Sequence, residues 1–189
     1  MEIKSILNEL NLLAQKKDRI NALKSISKLK ELIEKEKQTF LSKFLGEILA
    51  LSPIKFLEKY VQDTYPVFVS EMFTCLNQML DNLSQMHQKI SSNNFNIQEL
   101  LEDLETKNQE YERKFLILDT YFKLFELFGL AHFYYKGNKQ LIDHFIFNKK
   151  KSFMFDKFDS FSYNDLQKVR EKINLEIDHY SKKLNVKLS

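Results

Sequence analysis

The segment after residue 148 combines a basic run with closely spaced aromatic residues. Basic groups beside aromatic rings can bind single-stranded nucleic acid, because lysines attract phosphates and rings stack on bases. The same combination can dock on an anionic membrane surface. Acidic residues between the rings disfavour anion binding, so we favour a third interpretation, in which the rings cover the end of a bundle and the lysines are solvated. The candidate binding residues are Lys149, Lys150, Lys151, Phe153, Phe155, Phe158 and Phe161.

A second candidate is a regular apolar stripe that contains three methionines. Its members are alternately three and four residues apart, which is a heptad seam: Val69, Met72, Leu76, Met79, Leu83, Met86 and Ile90. Met72, Met79 and Met86 could form an adaptable peptide-binding surface, since methionine side chains are flexible and polarizable. Ordinary core packing is the interpretation that we favour.

The sequence contains little that could support catalysis. Glu176 and His179 have the spacing of a di-iron ligand motif, but such sites need a second motif and two further carboxylates. The residues three positions before the other histidines are Ser84, Gly129 and Leu141, so no second motif exists. Three glycines are too few for a phosphate-binding loop. We therefore expect no catalytic site, no metal and no cofactor, and hence a protein that is not an enzyme.

The elements that carry these residues are predicted to be helices. Among 189 residues there are 3 glycines and 2 prolines, which favours long helices with few connections. The sequence predicts one all-α domain over 1–189, an antiparallel bundle of five to seven helices. Amphipathic helices occupy 1–50, core helices and a hairpin occupy 53–135, and C-terminal helices with a basic and aromatic loop at 148–163 occupy 139–189.

Helix boundaries follow from capping and breaking residues. A polar run ends at Asp18, which could cap a new helix, so 3–50 is either one bent helix or two. Ser52 and Pro53 predict the start of another helix. Pro66 predicts a second interruption, and Ser162 with Asp165 predicts the start of the last helix.

The predicted hairpin is coiled-coil-like and covers about residues 67–114. Its second arm carries Ile97, Leu104 and Tyr111, and it leads into the most apolar stretch of the chain, 115–135. The charges of that stretch are Asp119, Lys123 and Glu126, which a helix places on one stripe where neighbouring members can pair. Three charges in the middle of the run favour a buried core helix over a transmembrane span.

Charge and cysteine content limit the remaining options. The net charge is +3, and basic end segments flank an acidic middle. The single cysteine excludes an internal disulfide, and the N-terminus lacks the pattern of a secretory signal, so we expect a cytoplasmic protein. The favoured function is a protein–protein interaction module, such as a scaffold, adaptor or chaperone-like subunit, with a protein partner or self-association. The alternative is a nucleic-acid-binding subunit that uses the basic terminal segments, and an anionic membrane surface is less favoured.

Overall fold

A computed structural model describes residues 2–51 and 57–184, and in this part of the chain all regular structure is helical. The predicted all-α fold is confirmed, with six α-helices in the described residues, within the predicted five to seven. The predicted boundary at Ser52 and Pro53 lies outside the described residues. The helices are α1 (Glu2–Gln15), α2 (Arg19–Leu51), α3 (Glu58–Ser91), α4 (Gln98–Tyr134), α5 (Lys139–Ser152) and α6 (Tyr163–Lys183), with a 3₁₀ helix at Phe155–Ser160.

The N-terminal segment forms two helices. Between α1 and α2, Lys17 adopts a left-handed conformation with φ 55°. Asp18 then caps α2, since its Oδ1 accepts a hydrogen bond from the Asn21 amide at 3.2 Å. The polar run therefore works as a helix break, and it settles the choice between one bent helix and two.

The predicted interruption at Pro66 is wrong, because α3 runs continuously through this residue. Proline removes one backbone donor inside a helix and clashes with the preceding turn, at a cost of about 3 kcal/mol. The rest of this 34-residue helix retains its own backbone hydrogen bonds. One missing donor is therefore outweighed by the length of helix on both sides.

The chain divides into two compact units. The first comprises residues up to 44 together with 69–112, and the second comprises 45–68 and the chain from 113 onward. Helices α2, α3 and α4 each contribute a segment to both units. The single domain over 1–189 stays a prediction.

In the first unit, α3 and α4 form the predicted hairpin around the connection at 92–97. Asn82 Nδ2 donates to Asp103 Oδ2 at 2.7 Å, which joins the two arms. Apart from the half-buried Val69, the predicted seam is buried on both arms, including Leu76 at 0% exposed and Leu104 at 0%. Tyr111 donates from its hydroxyl to Glu36 Oε1 at 2.7 Å and so ties α4 to α2.

The second unit contains the apolar half of α4. Lys123 and Glu126 pair at 2.8 Å, as predicted, and both side chains are about one-third exposed. Asp119 differs from them, because it is 2% exposed. Its Oδ2 lies 2.5 Å from Nε of Arg170 on α6. One end of the predicted charged stripe is therefore a buried ion pair between two helices, a contact that the sequence did not predict.

A tight turn joins α4 to α5 in the second unit. Lys136 and Gly137 both adopt positive φ, 50° and 73°. Asn138 then caps α5 by accepting a hydrogen bond from the Leu141 amide at 3.3 Å. The left-handed Gly137 explains why this turn carries one of the few glycines. Among the described helices, none has the length and apolar character needed to cross a membrane.

Candidate interaction surface

The three consecutive lysines lie on a helix, where the sequence predicted a loop. Lys149, Lys150 and Lys151 form the last turn of α5, which continues to Ser152. Cations in this position interact favourably with the negative end of the helix dipole. The predicted loop at 148–163 is therefore wrong in its first residues, and helix-terminus electrostatics explains why a basic run can end a helix.

The chain after α5 is a structured connection. Met154 adopts a left-handed conformation with φ 52°, and the 3₁₀ helix follows at once. Arg113 on α4 donates from Nη2 to the backbone oxygens of Asp159 and Phe161. Ser162 then caps α6 by accepting from the Asp165 amide at 3.2 Å, as predicted.

The candidate phenylalanines pack into the second unit. Phe153 is 4% exposed and Phe158 is 0% exposed, whereas Phe155 and Phe161 are half-buried. The Tyr121 ring lies 4.9 Å from Phe158 and 5.0 Å from Phe155, measured between ring centroids. This arrangement fits the interpretation in which the rings cover the end of a bundle, and it leaves little ring surface for stacking on a base.

Burial also affects the phenol at the centre of this ring cluster. The pKa of Tyr121 is raised above its usual value, mainly because burial penalises the charged phenolate. The carboxylates of Asp159 and Asp156 raise the pKa further, since they repel a second negative charge. The Tyr121 hydroxyl therefore stays protonated at neutral pH and is not poised as a base.

The three lysines differ in their surroundings. Lys149 Nζ lies 2.5 Å from Glu176 Oε1 on α6, and it also lies over the Phe145 and Phe153 rings at 5.5 and 5.9 Å. Lys150 Nζ lies 4.5 Å from the centre of the half-buried Phe155 ring.

Lys151, the third lysine of the run, is exposed. A partner anion would therefore reach Lys151 directly but would compete with contacts inside the unit at Lys149 and Lys150. The run is thus a weaker anion site than its composition indicates.

The methionine stripe lies in the interior of the first unit. Met72, Met79 and Met86 each have an exposed fraction of 0%. The favoured core interpretation fits this burial, and a partner could touch the stripe only if helices of this unit separated. Heptad spacing predicted which residues share a face, but it could not predict what covers that face.

The Glu176 and His179 motif does not assemble a metal site in this structure. The Glu176 carboxylate is paired with Lys149. In the described ranges 2–51 and 57–184, no group of three or more potential ligands could hold a metal ion.

Exposed apolar side chains occur on α4 and α5 in the second unit. Phe147 is 66% exposed and Phe133 is 59% exposed. Phe147 shares the outward face of α5 with exposed His144 and Lys151, which lie three residues before it and four after it. The sequence singled out neither phenylalanine, because a phenylalanine in an apolar helix is normally read as core.

Three helices bring an aromatic group together at the end of the second unit. The Tyr180 ring on α6 lies 5.2 Å from Tyr134 and 5.3 Å from Phe145. The Tyr135 ring lies 6.0 Å from the Phe145 ring. Burial, assisted by these neighbouring phenols, raises the pKa of Tyr180 to about 12.

No protein family, curated protein or solved structure matches this chain. Function must therefore be argued from the molecule's own surfaces.

Proposed function

We propose that this protein is a non-enzymatic helical interaction module, a scaffold, adaptor or chaperone-like subunit, that contacts a protein partner through the outward face of α5. The observation that carries the proposal is the exposure of Phe147, at 66%. A phenylalanine buries a large apolar area when a partner covers it, and aromatic anchors of this kind dominate binding energies at interfaces.

The neighbours of Phe147 suit an interface. His144 and Lys151 lie beside it on the same face and are exposed, so the apolar ring is flanked by polar groups. Interfaces commonly combine a central apolar anchor with a polar rim. The opposite face of α5 packs inside the unit through Ile142, Phe145 and Ile146, which fixes the orientation of the helix. A rigid helix presenting one ring loses little conformational freedom on binding.

The test compares two charge-introducing substitutions on α5. Phe147→Glu should abolish either self-association, measured by light scattering over a concentration series, or binding to a partner identified by crosslinking and then purified. Gln140→Glu is the matched control, since Gln140 is exposed on the same helix and carries no large apolar group. If the wild type is monomeric with no purified partner, or if Phe147→Glu binds as tightly as Gln140→Glu, the proposal fails.

The alternative is a nucleic-acid-binding subunit, supported by the basic residues that end α5. Lys151 is the suitable residue for its test, because Lys149→Glu would place a carboxylate beside Glu176 and disturb the fold. If the alternative holds, the wild type binds single-stranded RNA or DNA, and affinity falls steeply with salt. Lys151→Glu should then reduce affinity, and the exposed Lys172 serves as the control position. Absent or salt-insensitive binding would reject this alternative.

A further inference from the structure

Two tyrosine rings in the second unit meet nearly at a right angle and share one cation. The Tyr134 and Tyr180 ring planes are inclined by 81°. Lys183 Nζ lies 5.3 Å from the centre of the Tyr134 ring and 5.6 Å from that of Tyr180. Both distances lie within the range of cation–π attraction. A single ammonium group is thus held by two aromatic rings.

The sequence explains how the cation reaches the rings. Tyr180 and Lys183 are three residues apart on α6, so their side chains lie on the same face of that helix. Tyr134 is the last residue of α4. Lys183 is exposed, and within the described part of the chain it forms no ion pair. The rings are therefore its described partners.

Neighbouring groups, and not Lys183, hold the two rings in place. The Tyr134 ring packs against Tyr135 at 5.0 Å in an edge-to-face arrangement. The Tyr180 ring packs against Phe145 at 5.3 Å, also in an edge-to-face arrangement. The pair should therefore keep its geometry when the lysine side chain is removed.

Two ring faces set nearly at a right angle favour weakly hydrated cations over strongly hydrated ones. A primary ammonium is compact and strongly hydrated, so an exposed lysine gains little from a ring face. Methylated ammonium groups are larger and carry a more diffuse charge, and proteins recognise them with clustered aromatic rings.

We propose that the Tyr134–Tyr180 pair is a binding site for a methylated ammonium group, and that Lys183 occupies this site as a built-in competitor. The ligand group could belong to a free quaternary amine or to a methylated lysine side chain of a protein. The inference does not depend on the proposed role of α5, since it involves a different set of residues.

The experiment follows the ring signals of Tyr134 and Tyr180 by NMR during titration with tetramethylammonium chloride, with sodium chloride as the ionic-strength control. Removal of the competitor in Lys183→Ala should tighten apparent binding by about two- to fivefold, the factor that an exposed cation–π contact accounts for. Lys182→Ala is the matched control, because Lys182 is the exposed neighbour of Lys183 and contacts neither ring in the described residues. Equal affinities of Lys183→Ala and Lys182→Ala would overturn the competitor role.

Substitutions at Tyr134 test whether the ring itself binds the cation. Tyr134→Phe should retain binding in the Lys183→Ala background, because it keeps the ring. Tyr134→Leu should lose binding, because it replaces the ring with a smaller aliphatic side chain. Circular dichroism verifies that both variants are folded. If Tyr134→Leu binds tetramethylammonium as well as Tyr134→Phe, or if no variant binds, the site does not exist.

A second titration separates the two sources of the ligand group. A peptide containing trimethyllysine is compared with the same peptide containing unmodified lysine. Binding of both tetramethylammonium and the trimethylated peptide supports recognition of the ammonium group alone. Stronger binding of the trimethylated peptide than of tetramethylammonium supports a protein source. Equal binding of the trimethylated and unmodified peptides overturns recognition of methylation.

Discussion

Breaking the ion pair between Asp119 and Arg170 by removing one of its partners should strongly destabilise the second unit. Its carboxylate side chain is 3% exposed, whereas the arginine side chain is 38% exposed. Removing one partner of a buried pair costs about 3–5 kcal/mol, because the remaining buried charge loses its counter-charge. Water can reach part of Arg170, so we expect Arg170→Met to lower the free energy of unfolding by about 2–3 kcal/mol, which is less than the loss for a fully buried pair.

The assay is urea unfolding followed by far-ultraviolet circular dichroism, with thermal unfolding as a second measurement. A loss of about 2–3 kcal/mol corresponds to a decrease of roughly 4–12 °C in Tm for a chain of this size. Lys168→Met is the matched control, since Lys168 lies two residues earlier on the same helix and pairs with Asp165 at 3.7 Å while 71% exposed. We expect this control to stay within about 0.5 kcal/mol of the wild type.

A double substitution distinguishes loss of compensation from general damage to α6. Asp119→Leu combined with Arg170→Met removes both charges, and apolar replacements of buried pairs are often neutral or stabilising. The double variant should therefore be more stable than Arg170→Met alone. The reasoning is refuted if Arg170→Met behaves like Lys168→Met, or if the double variant is the less stable of the two.

Three further outcomes are expected from single substitutions. Phe158→Ala should lower the free energy of unfolding by about 3–5 kcal/mol, because Phe158 is fully buried. Phe147→Ala should change it by less than about 0.5 kcal/mol, because Phe147 is exposed. Equal effects in urea unfolding would contradict this difference in burial. Burial and the hydrogen bond to Glu36 raise the pKa of Tyr111 in the folded chain. Above about pH 10 the phenol therefore ionises in the unfolded chain before it ionises in the folded chain. The wild type should keep its stability below this pH and lose it as the pH rises further. Tyr111→Phe should lower stability by about 1–2 kcal/mol at pH 7 and flatten this alkaline loss, and an unchanged slope between pH 9 and pH 11 would contradict the prediction. Gly137→Ala should lower the free energy of unfolding by about 1–2 kcal/mol, because Gly137 has a positive φ of 73° that alanine adopts only with strain. A clash is not the cause, since the nearest atom to an added Cβ is His132 Cε1 at 3.9 Å. A Tm equal to that of the wild type would reject the strain argument.

Local patterns in the sequence predicted the helical fold and much of its core. Spacing of three and four residues identified the seam through Met79, and capping residues identified the starts of α2 and α6 at Asp18 and Ser162. These features depend on neighbours within a few positions, which the sequence displays directly. The interruption predicted at Pro66 was wrong because the helix on both sides of a proline decides whether its cost ends the helix.

The candidate surfaces were harder to predict, because they depend on contacts between distant positions. Lys149 lies beside Glu176 only after α5 packs on α6, so its basic run looked free in the sequence. The position of Lys183 over Tyr134 likewise requires the end of α4 to lie beside α6. The exposure of Phe147 was missed because the sequence does not show which of its many phenylalanines remain exposed after the helices pack.

The burial of the methionine seam makes sulfur oxidation a way to observe opening of the first unit. Met154 is 47% exposed in the second unit, so peroxide should convert it to the sulfoxide rapidly. Met72, Met79 and Met86 are 0% exposed and should react only through transient opening. The oxidation rates of the buried methionines and of Met154 can be measured by mass spectrometry. Their ratio would give the equilibrium constant for opening of the first unit, with Met154 as the internal reference for an exposed methionine.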